Sequence, residues 1–332
     1  MNALVTGGGG FLGGAIVCRL RARGDNVRSL ARGRYPDLDA LGVTQHQGDI
    51  ADVEAVVEAA AGCDIIFHVA AKAGVGGRYA EYHCANVIGT ENVLNACRTH
   101  RIPRLVYTSS PSVVFNGRDM EGVDESAPYA AHHDAHYPRT KAIAEQLVLR
   151  ANGPDLATVA LRPHLIWGPG DNHLVPRIIA RARAGRLRRI GRASKFIDSI
   201  YIDNAADAHL LTADRLAPGA PIAGKPYFLS QGEPVPLWGL VNRILAAAGL
   251  PPVTRSVPYG VAFAAGWALE TAYALLHLRG EPPMTRFLVR ELSTAHWFDL
   301  SAARRDLGYA PSVSLDEGLR RLAKSFENGW LR

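Results

Sequence analysis

A short apolar run that breaks into glycines and restarts as a helix constrains this chain more than any other feature. Asn2-Ala3-Leu4-Val5-Thr6 has the unbroken apolar character of a parallel strand covered on both faces. Gly7 to Gly10 follow, and Phe11 to Arg23 reads as a helix with apolar residues at Leu12, Ile16, Val17 and Leu20. The glycines are spaced Gly7-x-x-Gly10-x-x-Gly13, one residue wider at the start than the common dinucleotide fingerprint. Gly7 and Gly10 allow a tight turn and close approach to a pyrophosphate, and Gly13 allows the helix to lie on the sheet. The free N–H groups of a helix start complete an anion cradle, with Gly7, Gly10, Phe11, Leu12 and Gly13 as its backbone. A merely glycine-rich strand–helix turn is the plainer alternative.

The second strand, Asn26 to Ala31, is expected to end beside the adenine ribose. NAD enzymes often carry a carboxylate there, whereas this chain has Ala31-Arg32-Gly33-Arg34 and no carboxylate before Asp37. An arginine suits a 2′-phosphate through a charge-assisted contact, so Arg32 favours NADP(H). Arg32 and Arg34 as solvated surface charges remain the alternative. Gly48-Asp49-Ile50 follows a third strand, and Asp49 is a candidate for the adenine amine, with Ile50 beside it.

Further along, Arg104 to Thr108 is a strand that runs into Ser109 and Ser110 at its carboxyl end, where ligands bind in open α/β sheets. Tyr137 and Lys141 are four residues apart and share one helix face. Pro138 fits only if it lies in the first turn, and Asp134 is the expected cap. These groups suit ketone reduction. Tyr137 donates a proton to the developing alkoxide, Ser110 hydrogen-bonds the carbonyl oxygen, and a Lys141 ammonium is expected to lower the phenol from its usual value near ~10. Ser109 and Ser112 are close enough to leave the serine register open, with Ser110 preferred.

Taken together, these residues resemble the extended short-chain dehydrogenase/reductases, and the resemblance extends over nearly the whole chain. Gly7, Gly10, Gly13, Ser110, Tyr137 and Lys141 match that family's pattern, and Asn86 matches the helix asparagine that supports its proton relay. Leu161 to Asp171, Asp198 to Asn204, Gly232 to Trp238 and Leu307 to Pro311 are similar to the 3β-hydroxysteroid dehydrogenase branch. Within that branch the chain is similar to sterol-4α-carboxylate dehydrogenases and to the bacterial reductases of 2-alkyl-3-oxo acids in olefin biosynthesis. The resemblance implies Ala70 and Pro163 as further cofactor contacts, and a homodimer built on helices around 79–100 and 137–151. Pro111, directly after Ser110, departs from the pattern of many relatives.

The expected fold is α/β, a doubly wound parallel sheet of Rossmann type over residues 1–165. Residues 166–332 are expected to form a smaller, mostly helical substrate region, with a strand near Lys225 to Leu229 returning to the main sheet. Hydrophobic content of 48% is that of a globular chain with a substantial core. Cys18, Cys63, Cys84 and Cys97 lack metal-like spacing and read as buried, reduced thiols of a cytoplasmic protein. The start of the chain shows no secretory signal. His132, His133 and His136 read as rim residues of the cleft, and no metal is expected.

Net charge is +6, much of it between Arg177 and Arg192. Without interleaved aromatics this run does not argue for nucleic acid. It reads as a solvated face or as a dock for an anionic partner or substrate. Tyr259 to Leu278 is the most apolar stretch, with Glu270 its one carboxylate. A buried or interface helix, a helix lying in a membrane surface, and a membrane span are its three readings. The leading functional expectation is NADPH-dependent reduction of a long-chain 2-alkyl-3-oxo acid to the 3-hydroxy acid. That substrate rests on the resemblance. A β-keto acid loses carbon dioxide readily, so the enzyme is expected to work beside its supplier in a multienzyme assembly. An NAD(P)-dependent sterol dehydrogenase and a non-catalytic NADP-binding sensor or scaffold are the alternatives.

Overall fold

The computed structural model describes residues 1–191, 194–276, 278 and 280–331. Its frame is a seven-stranded parallel sheet formed by β1 (Asn2–Thr6), β2 (Asn26–Ala31), β3 (Thr44–Gln47), β4 (Ile65–His68), β5 (Arg104–Thr108), β6 (Ala157–Pro163) and β7 (Lys225–Leu229), in the order 3-2-1-4-5-6-7. Helices α1 (Phe11–Ala22), α2 (Val53–Ala60), α3 (Gly89–His100), α4 (His136–Arg150) and α5 (Ile202–Arg215) flank it. The sequence β1-α1-β2 joins two parallel neighbours through a helix, the connection for which a right-handed crossover is the rule. Strand order reverses beside β1, which pairs with both β2 and β4. A crevice opens at the carboxyl ends of strands at such a reversal.

The strands are apolar because both faces are covered. Ala3, Leu4, Val5, Ile65, Ile66 and Phe67 are fully buried. α1 places Leu12, Ile16, Val17 and Leu20 on the sheet. Full burial of such side chains contributes about 1.5–3 kcal/mol each, so α1 is fixed by packing and its exposed start is free for a ligand.

Lys225–Leu229 pairs in parallel with β6, so the late strand does return to the main sheet. Strands Met120–Val123, Phe196–Ile197, Val235–Pro236 and His296–Phe298 form a small second sheet beside it. The remainder of the C-terminal region is mostly helical. Two expectations need correction. Cys63 and Cys97 are buried, but Cys18 and Cys84 are exposed, and all four thiols are free. The apolar stretch forms α6 (Tyr259–Leu275), which buries only Ala262 and Gly266. Val261, Trp267, Leu275 and Leu276 are all more than half exposed, so α6 is not a core helix. Among the described residues no helix is long and apolar enough to cross a membrane. His277, within the same stretch, lies outside the described residues.

The basic run is largely spent inside the chain. Arg177 pairs with Glu281, Arg181 donates to the Pro283 carbonyl, Arg183 to that of Leu331, and Arg188 to those of Gly185 and Leu187. Arg192 lies outside the described residues.

Candidate active site

A cleft of about 890 Å³ runs along the carboxyl ends of the strands. It gathers residues that lie far apart in sequence. Gly7, Gly10, Phe11, Leu12, Gly13, Arg32, Asp49, Ile50, Ala70, Ser110, Tyr137, Lys141 and Pro163 all line it.

At one end is the glycine turn. Gly7 has φ +72°, a conformation that suits glycine, and a Cβ there would meet the Ala70 backbone at 3.1 Å. A Cβ on Gly13 would sit 2.1 Å from the Gly7 carbonyl oxygen. The turn therefore folds onto the helix only without these side chains. α1 has Gly10 at its N-cap, no capping side chain and no acidic residue in its first turn. Its positive pole and first N–H groups are left for an outside anion, as a bound pyrophosphate requires. The cradle thus fits a dinucleotide.

Arg32 is exposed on the cleft wall at the end of β2 and makes no ion pair with any described residue. Arg34 instead forms a two-point contact with Asp39. Of the two arginines, only Arg32 is free to meet a ligand. Asp49 is exposed and accepts from the Ala51 N–H, and Ile50 is buried beneath it. Tyr35, which the sequence reading passed over, lies across the turn; a Cβ on Gly9 would enter its ring.

The floor of the cleft is held by a polar chain. Thr6 Oγ1 lies 2.9 Å from His68 Nδ1 and accepts from the N–H groups of Val69 and Ala70. His68 Nε2 lies 3.0 Å from Thr90 Oγ1. Burial, then the nearby Lys141, pushes His68 down to about 3, so it stays neutral and structural.

At the other end, α4 begins at His136, so Tyr137 and Pro138 fall in its first turn. Ala135 is the N-cap and offers no side-chain bond, because the expected cap, Asp134, pairs with Arg290 instead. Tyr137 and Lys141 lie one turn apart, and both face the cleft. Lys141 is buried, with Nζ donating to the Thr108 carbonyl at 2.6 Å and lying 4.1 Å over the Tyr107 ring. Burial draws it down to about 7, with Glu145 opposing. Tyr137 departs from the expected electrostatics. Burial raises its hydroxyl above the ordinary phenol value, a hydrogen bond with Ser110 opposes this, and the Glu291 charge adds to it. Burial governs the phenol, in place of the expected lowering by Lys141.

Ser110 is the serine beside Tyr137. Its Oγ is 2.9 Å from Ser112 Oγ and accepts from the Ser112 N–H. Pro111 opens a single 3₁₀ turn after it, which turns the serine toward the cleft. Ser109 also lines the cleft, with its Oγ buried and unpartnered.

Asn86 sits in a π-helical turn, Cys84–Ile88, rather than in a plain helix interior. Such turns often mark functional positions. Its amide donates to the Lys72 carbonyl and to Thr140 Oγ1, each at 3.0 Å, and accepts from the Lys72 N–H at 2.7 Å. Asn86 thus joins the loop after β4 to the helix of Tyr137, and does not itself line the cleft.

The three histidines around the start of α4 do not converge. His136 packs on the rings of Tyr79 and Tyr82, and no group of metal-binding side chains is found among the described residues. Lys72, Glu81 and His173 also line the cleft and were missed by sequence reasoning, while Asp171, the end of the Leu161 to Asp171 stretch, lines it too. Lys72 could have been found, since it lies just beyond the end of β4, beside the reversal in strand order.

Comparison with known proteins agrees with this geometry. The family pattern described as 3-beta hydroxysteroid dehydrogenase/isomerase family matches residues 4–258. A 2-alkyl-3-oxoalkanoate reductase of Stenotrophomonas maltophilia is 55% identical over 98% of this chain and 99% of its own length. One from Shewanella oneidensis is 53% identical over 98% of this chain and 86% of its own. Among solved structures, gox2253 superposes with a TM-score of 0.80 at 25% identity, covering 99% of both chains.

Proposed function

The chain belongs to the 3-beta hydroxysteroid dehydrogenase/isomerase family, and from that premise we propose that it reduces a long-chain 2-alkyl-3-oxoalkanoic acid to the 3-hydroxy acid with NADPH, in hydrocarbon (olefin) biosynthesis. As an oxidoreductase of a hydroxyl/ketone group, it uses a nicotinamide cofactor. The observation that carries the reading is one cleft that holds an uncapped helix start at one end and Ser110, Tyr137 and Lys141 at the other. High identity to the two bacterial reductases over nearly full length supports the substrate class. The unpaired Arg32 supports NADPH over NADH.

In this reading Gly7, Gly10, Phe11, Leu12 and Gly13 bind the pyrophosphate through backbone. Arg32 meets the 2′-phosphate, Asp49 and Ile50 the adenine, and Ala70 and Pro163 the nicotinamide side. The bound cofactor supplies hydride for the carbonyl carbon. Ser110 donates to the carbonyl oxygen and fixes its position. Tyr137, kept protonated by burial, gives its proton to the oxygen as negative charge develops there. Lys141 holds the strand end through Thr108, and Asn86 fixes the start of α4 through Thr140.

We place the protein in the cytoplasm as a homodimer built on the helices around 79–100 and 137–151. The exposed apolar face of α6 supports contact outside the protomer, with a lipid surface that delivers the long chain or with a pathway enzyme. The alternative substrate, a sterol carrying a 3β-hydroxyl, draws support from the family as a whole.

The test is nicotinamide absorbance with purified protein, comparing NADPH plus a 2-alkyl-3-oxo acid against NAD plus a 3β-hydroxysteroid. Rapid NADPH oxidation that Tyr137→Phe abolishes is expected. Turnover with the steroid alone would move the assignment to the sterol reading, and cofactor binding without turnover would leave a sensor.

A further inference from the structure

A 3-oxo acid carries a full negative charge one carbon away from the ketone it presents for reduction. In a cleft built for an alkyl chain, that charge is costly unless a cation meets it. Among the described residues the cleft offers four basic side chains: Arg32, Lys72, Lys141 and His173. Arg32 stands at the end of β2, on the far side of the glycine turn from Tyr137. Lys141 is buried against the Thr108 carbonyl. His173 stands at the start of the helix Leu174–Arg183, where Asp171 accepts its backbone N–H. Lys72 remains, and its position is firmly set.

Both backbone groups of Lys72 are held by the Asn86 amide, which also bonds Thr140 in the turn that follows Tyr137. One side chain therefore fixes Lys72 and the proton donor in a single frame. The Lys72 ammonium lies over the Tyr82 ring, with Nζ 5.2 Å from its centre. Tyr82 is itself tied to the Gly76 carbonyl at 2.7 Å. The ammonium is one-third exposed and pairs with Glu81 at 3.0 Å, and Glu81 also lines the cleft. A pair this open to solvent contributes little to stability, so the ammonium can change partner at small cost.

We propose that Lys72 is the substrate carboxylate site, and that Glu81 holds its ammonium at the cleft wall until the substrate carboxylate replaces it. The inference rests on the keto-acid reading above and deepens it. It makes the enzyme selective for free acids over esters of the same chain, because an ester cannot displace Glu81.

The experiment measures steady-state reduction of a freshly saponified 2-alkyl-3-oxo acid and of its methyl ester, with NADPH, in the wild type and three variants. A charge-assisted contact is worth about 1.5–3 kcal/mol, or roughly 10–100-fold in binding. Lys72→Met is expected to raise the KM for the acid by that factor and to leave the ester and NADPH constants unchanged. Lys72→Arg should keep most of the acid preference. Glu81→Gln, which removes the competitor, should lower the KM for the acid a few-fold, an effect that no purely structural role of Lys72 produces. An unchanged acid-to-ester ratio in Lys72→Met overturns the inference, as does a rise in the NADPH constant alone. If the wild type reduces the acid and only the ratio fails to move, the inference falls and the proposed function stands. If the wild type reduces neither compound, the proposed function falls and the inference with it.

Discussion

The Lys141 ammonium donates to the Thr108 carbonyl at 2.6 Å, which joins α4 to the end of β5. The bond places the lysine beneath the cleft and leaves it buried, with its basicity drawn down to about 7. Below pH 7 it is charged in the folded and the unfolded chain alike. Between about 7 and its unfolded value near ~10.4, the unfolded chain binds the extra proton. Stability of the cofactor-free protein through this group therefore rises with pH across that window. Thermal melting at pH 7 and pH 8.5 should show this rise, and Lys141→Met should remove it. The same variant should also lose activity, because the end of β5 loses its tie to α4. A rise that survives in Lys141→Met would assign it to another group.

Tyr137 is raised above the ordinary phenol value by burial and by the Glu291 charge. It should stay protonated through the neutral range, so loss of the Tyr137 proton should limit ketone reduction only on the alkaline side. Removing the hydroxyl in Tyr137→Phe should cost roughly 10²–10⁴-fold in kcat, with NADPH binding by fluorescence unchanged. Loss of NADPH binding in that variant would make the tyrosine a cofactor support rather than a proton donor.

Much of the frame was legible in the sequence because single, local rules fix it. The run Asn2–Thr6, the glycines and Phe11–Ala22 became strand, turn and helix in the expected places. What the sequence hid depends on contacts between distant segments. Asp134 caps nothing because Arg290, far along the chain, takes its carboxylate. Asn86 sits in a π turn and is tethered to Lys72 and Thr140, and helical periodicity carries no trace of either. The environment of Tyr137 was misjudged for the same reason, since its burial and the effect of the distant Glu291 exist only in the folded chain. Lys72 and Tyr35 carry no motif, and only the closing of the cleft around them shows their place.

Arg32 is the exposed, unpaired arginine of the cleft wall, and Arg34 is engaged by Asp39. Arg32→Ala should raise the KM for NADPH by roughly 10–100-fold, the worth of one charge-assisted contact, and leave NADH nearly unaffected. Arg34→Ala should change neither constant. Equal effects on both cofactors would show that Arg32 does not read the 2′-phosphate.

Gly13 gives a steric test of the cradle. A Cβ there would stand 2.1 Å from the Gly7 carbonyl oxygen, with backbone on both sides and no flexible side chain to yield. Gly13→Ala should therefore push α1 off the glycine turn, cost about 1–3 kcal/mol as an overpacking substitution, and weaken both NADPH and NADH. Gly153→Ala serves as the control, since nothing lies within 4 Å of a Cβ at that position. A Gly13→Ala protein with normal melting and normal cofactor binding would contradict the packing described for this turn.

The face of α6 offers the last test, because several of its large apolar side chains stand exposed. Val261, Trp267 and Leu275 are each more than half exposed, whereas the helix buries only Ala262 and Gly266. Burying such side chains in a lipid surface would contribute about 1.5–3 kcal/mol apiece. Trp267→Glu with Leu275→Glu should therefore weaken co-sedimentation with vesicles by at least tenfold. None of these positions lines the cleft, so turnover of a short, water-soluble keto acid should be unchanged, and only long-chain substrate presented in vesicles should be reduced more slowly. If the wild type does not sediment with vesicles but forms larger particles that the double variant disperses, the face of α6 is a contact between protein chains, and its apolar character serves assembly rather than lipid delivery.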